Sequence, residues 1–224
     1  MAAKNTAGRM KGVLALLLAF GPALLLVMIG TRGCEHKFKE LDDYGKVVDY
    51  SFTDARGKKF SSKNFKKNVV LITTLQTSCP DTCAISFWHL NQHIFRIAKD
   101  AKDKTGSLRI ISFVTDGEGN PVEDVSIVEE MIKDQVNEYD PDVWYIASGD
   151  ARPLYDMESN GQTLLEQGDE FFGGEAFQER MLLLDKQNHL RMVHNGNSEG
   201  AVRRMKEHVA LLQKQYDKEA AKKK

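Results

Sequence analysis

Cys79 and Cys83 stand four residues apart in the stretch Thr77-Ser78-Cys79-Pro80-Asp81-Thr82-Cys83. At positions i and i+4 of a helical turn two sulfurs face each other, so the pair can close a disulfide or hold one soft metal such as Cu(I) or Zn between two thiolates. A purely structural disulfide is the plainest use of the same spacing. The spacing admits all of these and selects none. Chemistry is favoured by the setting. Val69 to Leu75 is a short, apolar run on both alternations, as expected of a strand buried on both faces. After Pro80 the residues Cys83, Ile85, Phe87, Trp88, Leu90, Ile94, Phe95, Ile97 and Ala98 recur at mostly helical spacing. The second cysteine therefore falls in or near the first turn, where the partial positive charge of a helix N-terminus favours a thiolate.

Other elements must hold that strand-to-helix junction in place. Val47 to Asp54 and Lys58 to Phe60 flank Ala55-Arg56-Gly57, the pattern of a hairpin with a glycine turn. Ser107 to Asp116 reads as a second buried strand, with Gly117-Glu118-Gly119-Asn120-Pro121 as its loop. A helix follows with Val125, Ile127, Val128, Met131, Ile132 and Val136 as its apolar positions, and then a short strand from Val143 to Ala147. An irregular segment runs to about Gln167, Arg180 to Asp185 and His189 to Val193 pair across Lys186-Gln187-Asn188, and an amphipathic helix spans about Glu199 to Tyr216. Strand, helix, strand, helix, further strands and a closing helix is the order of an α/β thioredoxin-like fold, in which reactive cysteines cap the first helix. No internal repeat is present.

The chain has 224 residues and a formal net charge of -1, which gives no pull toward nucleic acid. Three cysteines are too few for a disulfide scaffold, and Cys34 lies outside the pair as a free or interchain thiol; Arg32 makes a poor flank for lipid attachment there. Lys4, Arg9 and Lys11 precede an uncharged apolar run over residues 13–30. A bilayer span takes about 20 residues, within roughly 17 to 25, so the run predicts an N-terminal transmembrane helix. A cleaved signal peptide fits less well, because the run is long and lacks a small-residue cleavage site. The basic flank puts residues 1–12 in the cytoplasm and the C-terminal domain on the periplasmic or other extracytoplasmic side of the cytoplasmic membrane. Residues 31–46 then form a linker, 47–217 the thioredoxin-like domain and 218–224 a basic tail. Outside the cytoplasm the pair tends toward its disulfide unless reduced, so redox state enters the expected function.

The anchor, Tyr50-Ser51-Phe52-Thr53-Asp54 with Gly57-Lys58, the strand from Val69 to Leu75, Cys79-Pro80-Asp81-Thr82-Cys83 and Ile111-Ser112-Phe113-Val114-Thr115-Asp116 together resemble the Sco family over about residues 45–215. The resemblance implies a membrane-anchored, thioredoxin-fold factor that helps assemble the binuclear copper centre of cytochrome c oxidase, as copper chaperone, thiol reductase or both. It implies Cys79 and Cys83 as the two thiolate ligands of Cu(I) or as the redox pair. The implied partner is the copper-binding subunit of the oxidase, or another extracytoplasmic client with paired cysteines.

The chain departs from the family at the third metal ligand, a histidine usually preceded by aspartate, whose place before Met181 reads Gly174-Glu175-Ala176-Phe177-Gln178-Glu179. Two thiolates still suit linear Cu(I), but the imidazole that helps hold Cu(II) is missing. His89 and His93 share a helix face, yet His89 follows Cys83 by six residues and lies around the helix from it. His189 and His194 bracket the last strand, His36 and His208 have no expected site role, and Met181 is a core residue before it is a soft ligand. Gly117-Glu118-Gly119 is too acidic for a phosphate loop, and Phe171-Phe172 is expected as an apolar lip beside the thiols or as ordinary loop packing. Two other classes stay open: a metal-independent, membrane-tethered thiol-disulfide oxidoreductase, and a non-catalytic interaction protein with a structural disulfide. Three residues between the cysteines and no proline after Pro153 separate the chain from an ordinary thioredoxin.

Overall fold

The computed structural model describes residues 16–28, 41–77, 87–104, 106–156, 158–159, 162–163, 180–196 and 198–222. The chain divides into two units, residues 1–39 and 40–224. In the first, residues 16–28 are helical with nearly all side chains exposed. At a rise of about 1.5 Å per residue this stretch measures about 20 Å, short of the about 30 Å hydrocarbon core of a bilayer. Among the described residues no helix is long and apolar enough to cross a membrane. The expected transmembrane helix over 13–30, and the single-pass placement in the cytoplasmic membrane built on it, are corrected accordingly. The length, apolar composition and basic flank of the run suggested a span, and the described helix, residues 16–28, is too short to make one.

The second unit is a seven-stranded sheet with strand order β2-β1-β5-β4-β3-β8-β9. Its strands are β1 (Ser51–Asp54), β2 (Lys59–Ser61), β3 (Val69–Gln76), β4 (Leu108–Thr115), β5 (Trp144–Ser148), β8 (Arg180–Leu184) and β9 (Leu190–Asn195), while β6 (Glu158–Ser159) and β7 (Gln162–Thr163) form a separate small ribbon. β3, β4 and β5 are parallel, joined through helix α1 (residues 87–100) and helix α2 (Ser126–Gln135); β1 and β8 flank them antiparallel. A short helix α3 (Arg152–Tyr155) follows β5, and α4 (Glu199–Lys222) closes the chain, running past Tyr216.

The period of two in the buried strands builds two cores. Val69, Leu71, Ile110, Val114, Trp144, Met181 and Leu183 face one way and pack under Ile94 and Phe95 of α1, Ile132 of α2, and Met205 and Leu212 of α4. Val70, Ile72, Ile111, Phe113, Tyr145, Leu182 and Leu184 face the other way, onto Phe52, Phe60, Phe65 and Tyr155. There Phe60 meets Tyr145 edge-on at 5.0 Å between ring centroids, and Phe52 stacks on Phe60 at 5.4 Å. The β1–β2 hairpin forms as its turn chemistry requires, with Gly57 at φ 76°. In α2 only part of the expected apolar set is inside: Val125, Ile132 and Val136 are buried, whereas Ile127 is 75% and Met131 47% exposed. These two lie around the helix from Ile132 and face outward.

Candidate functional site

β3 carries the chain toward the cysteines. Its pairing with β4 runs in register from Val69↔Leu108 to Gln76↔Thr115, and one further bond, from the Thr77 amide to the Thr115 carbonyl at 2.9 Å, fixes where the strand gives out. The described chain resumes at Phe87, the start of α1. Cys79 and Cys83 therefore lie outside the described residues, between these two points; Cys34, Phe171, Phe172, Glu175 and Glu179 lie outside them as well. The described structure thus defines the frame around the thiol segment.

That frame is rigid on its helix side. Phe87 is buried and its ring stands 5.1 Å from that of Trp144, which also meets Phe95 at 5.4 Å. The Trp144 indole donates from Nε1 to Ser112 Oγ at 2.9 Å, and Ser112 Oγ shares a 2.6 Å hydrogen bond with Thr73 Oγ1. A continuous buried polar chain thus ties β5, β4 and β3 together beneath α1. The sequence carried one sign of it: Thr73 and Ser112 are polar residues on buried faces of apolar strands, and such groups need partners. Which partner each finds depends on the pairing order. Helix α1 has a π-turn at Asn91–Phe95, an insertion that shifts the face presented by the following turn.

The loop after β4 lies at the same end of the sheet. Asp116 Oδ1 accepts from the amides of Glu118 and Asn120, each at 2.8 Å, and Oδ2 accepts from Asn120 Nδ2 at 3.0 Å. These bonds, that from the Asn120 side chain foremost, hold the Asp116 carboxyl below its ordinary range. Gly117-Glu118-Gly119 is therefore an aspartate-organised turn. Arg152 Nη2 donates to Asn120 Oδ1 at 2.8 Å and connects this turn to α3. Tyr155 Oη donates to the Arg180 carbonyl at 2.9 Å, which seats the first residue of β8.

The described histidines fall into separate places. His89 and His93 stack at 6.0 Å between centroids on α1, with His89 Nδ1 and His93 Nε2 buried and without a hydrogen-bond partner among the described residues. His93 Nε2 comes within 3.4 Å of Glu199 Oε1, an ion-pair distance without hydrogen-bond alignment. His189 Nδ1 is 2.9 Å from Asp43 Oδ2. His194 and His208 face each other at 5.3 Å across β9 and α4, and His208 Nδ1 carries the proton it donates to the Arg204 carbonyl at 2.7 Å. Met181 is 3% exposed and belongs to the helix-side core.

Among the described residues no three side chains of histidine, cysteine, aspartate or glutamate come together to hold a metal. The expectation of a membrane-anchored factor delivering Cu(I) is corrected on this ground and on the lack of a crossing helix among the described residues. The described imidazoles are spread over α1, the turn before β9, β9 and α4.

A parallel β-α-β core, with a cysteine-bearing junction between its first strand and first helix and an antiparallel pair on the far edge, defines a thioredoxin-like protein. Among solved structures, a SCO1/SenC family lipoprotein from Bacillus anthracis superposes with a TM-score of 0.54 at 17% identity, covering 80% of this chain and 98% of that one. Yeast Sco1 gives 0.49 at 16% identity over 74% and 98% of the two chains, and copper-bound ScoI of Arabidopsis thaliana 0.49 at 16% over 76% and 99%. The model of the SCO1/SenC family matches residues 39–209, and the chain belongs to that family. No curated protein matches the sequence. Family membership supports a general assembly-factor role and is consistent with copper involvement.

Proposed function

We propose that this chain is a Sco-type assembly factor that acts on a partner protein, with Cys79 and Cys83 as its reactive groups. The observation that carries the reading is the family match over residues 39–209, which includes both cysteines at the junction between β3 and α1. The Cys79 thiolate attacks a sulfur of the partner's disulfide and displaces the other as a thiolate. Cys83 then attacks Cys79 in the mixed disulfide, leaving a Cys79–Cys83 disulfide here and two thiols on the partner. Two electrons pass to the partner, and the two protons released by the thiols here appear on its own. The copper-binding subunit of cytochrome c oxidase, or another client with paired cysteines, is the partner this chemistry suits. The same two thiolates are soft donors suited to binding Cu(I).

The test uses the reduced full chain and a peptide containing a two-cysteine disulfide. Cys83→Ser is expected to accumulate a mixed disulfide through Cys79, seen by mass spectrometry, and Cys79→Ser to give none. Competition for Cu(I) against a chelator of known affinity is expected to show one copper per chain, lost in Cys79→Ser/Cys83→Ser. A chain that neither exchanges nor competes, and merely loses stability when both cysteines are replaced, is an interaction protein with a structural disulfide.

A further inference from the structure

At the end of the sheet away from the thiols lies a cavity of about 310 Å³, walled by the 46–50 stretch, the turn at residues 62–66, the start of β3 and the turn at residues 185–188. Val70 in its floor is separated from Thr77 by about 23 Å of strand at about 3.3 Å per residue, so the cavity is not part of the thiol site. Its volume falls in the range of small-molecule pockets, about 300–1,000 Å³.

The wall contains a group without a partner. Tyr50 is 6% exposed, and its hydroxyl, buried, has no hydrogen-bond partner among the described residues. A buried unpaired hydroxyl is costly in a native fold and calls for an explanation. Burial, and secondarily the charge of Asp49, push its pKa up, so it stays a donor at neutral pH.

The other polar groups of the wall are unequally engaged. Asp185 accepts from the amides of Gln187 at 2.8 Å and His189 at 2.9 Å and from Arg191 Nη1 at 3.1 Å, which fills its carboxylate. Asp49 accepts from Ser62 Oγ at 2.7 Å. Lys186 lies 3.8 Å from the Tyr216 ring centroid and 3.5 Å from Glu219. Lys46 and Lys66 line the cavity beside Asp49, whose carboxylate feels the charge of both; neither lysine is within hydrogen-bond or ion-pair distance of an acceptor among the described residues. The cavity therefore has a surplus of donors: two ammonium groups and one phenol, above an apolar floor of Phe65 and Val70.

We infer that this cavity binds a small organic anion, its oxyanion head taken by Lys46 and Lys66, an acceptor atom bonded by the Tyr50 hydroxyl, and its short apolar body laid on Phe65 and Val70. Inorganic phosphate, lacking the apolar body, is the weaker ligand of the two kinds.

The test titrates benzoate and, separately, inorganic phosphate into the full chain at constant ionic strength, following amide resonances by NMR. Saturable shifts with benzoate at Tyr50, at residues 62–66 and at 185–188 are expected, at lower concentration than with phosphate. Tyr50→Phe is expected to weaken benzoate by roughly tenfold while leaving the ligand-free chain as stable as before or more so, because it deletes an unpaired buried group. Lys66→Gln, at an exposed position, is expected to weaken it several-fold without a change in fold. Absence of saturation with benzoate, equal binding by phosphate, or binding indifferent to both substitutions would overturn the inference.

Discussion

Ser112→Ala tests whether the buried polar chain holds the frame beneath the thiol segment. Ser112 is 0% exposed, as is Trp144, and Thr73 is 6% exposed. The substitution removes one oxygen and leaves almost no cavity, so its cost is the unpaired groups it creates. Trp144 Nε1, now 2.9 Å from Ser112 Oγ, and the Thr73 hydroxyl oxygen, now 2.6 Å from it, both lose that partner. Each buried unsatisfied group costs about 1–3 kcal/mol, and some relaxation at Thr73 brings the sum to about 3 kcal/mol. For a unit of the size of residues 40–224 this corresponds to a fall in Tm of about 6–12 °C. Urea denaturation followed by tryptophan fluorescence measures it directly, since Trp144 is one reporter. Thr73→Val/Ser112→Ala removes one of the two stranded groups and is expected to be more stable than Ser112→Ala alone. A loss below about 0.5 kcal/mol, or a double variant as costly as the sum of the singles, would refute the view that these three residues act as one unit. Because Trp144 packs on Phe87, Ser112→Ala is also expected to speed alkylation of Cys83 at denaturant concentrations where the chain is still folded.

Gly106→Ala is expected to cost about 2–4 kcal/mol by thermal or urea denaturation, against about 1 kcal/mol for Gly57→Ala. Both glycines have positive φ, 72° and 76°, but a Cβ at Gly106 meets Tyr216 Cδ2 at 2.8 Å, whereas one at Gly57 meets nothing within 4 Å. Equal costs would mean that the Tyr216 ring yields freely despite the Lys186 ammonium on its face. His194 gives a pH prediction: burial, then the charges of His208 and Arg204, hold its imidazole below 6.5. The folded chain binds that proton less tightly than the unfolded chain, so its contribution is fully present above about pH 6.5 and is lost as pH falls toward the lower folded value. His194→Gln is expected to flatten the drop in denaturation midpoint between about pH 7.5 and 5.5, and an unchanged drop would assign it to other groups.

The buried strands were legible because their residues alternate between two apolar cores; β2, β3, β4, β5, β8 and β9 lie within two residues of their expected bounds, whereas β1 starts at Ser51, four residues after the expected Val47, and the β6–β7 ribbon was not expected. Gly57 announced its turn, and Lys186-Gln187-Asn188 announced the other, where Asn188 has φ 68°. Helix α2 was legible as a helix but its buried face was not, since Ile127 and Met131 are as apolar as Ile132 and only packing distinguishes them. The crossing helix expected over 13–30 is not found among the described residues, where the helix covers 16–28 only.

The sequence by itself determined the two-cysteine segment, its place between a strand buried on both faces and a helix, the thioredoxin-like order of elements and the lack of the family's Asp-His before β8. These follow from neighbouring residues, whose period and turn chemistry act over a few positions. Tertiary structure decided which strands lie side by side, that Thr73, Ser112 and Trp144 form one hydrogen-bonded chain, that the described histidines stay in separate places, and that Tyr50, Lys66 and Asn188 wall one cavity. Such groups stand tens of residues or more apart, and the sheet order that joins them is set by the simultaneous burial of both faces, which no local stretch of sequence specifies.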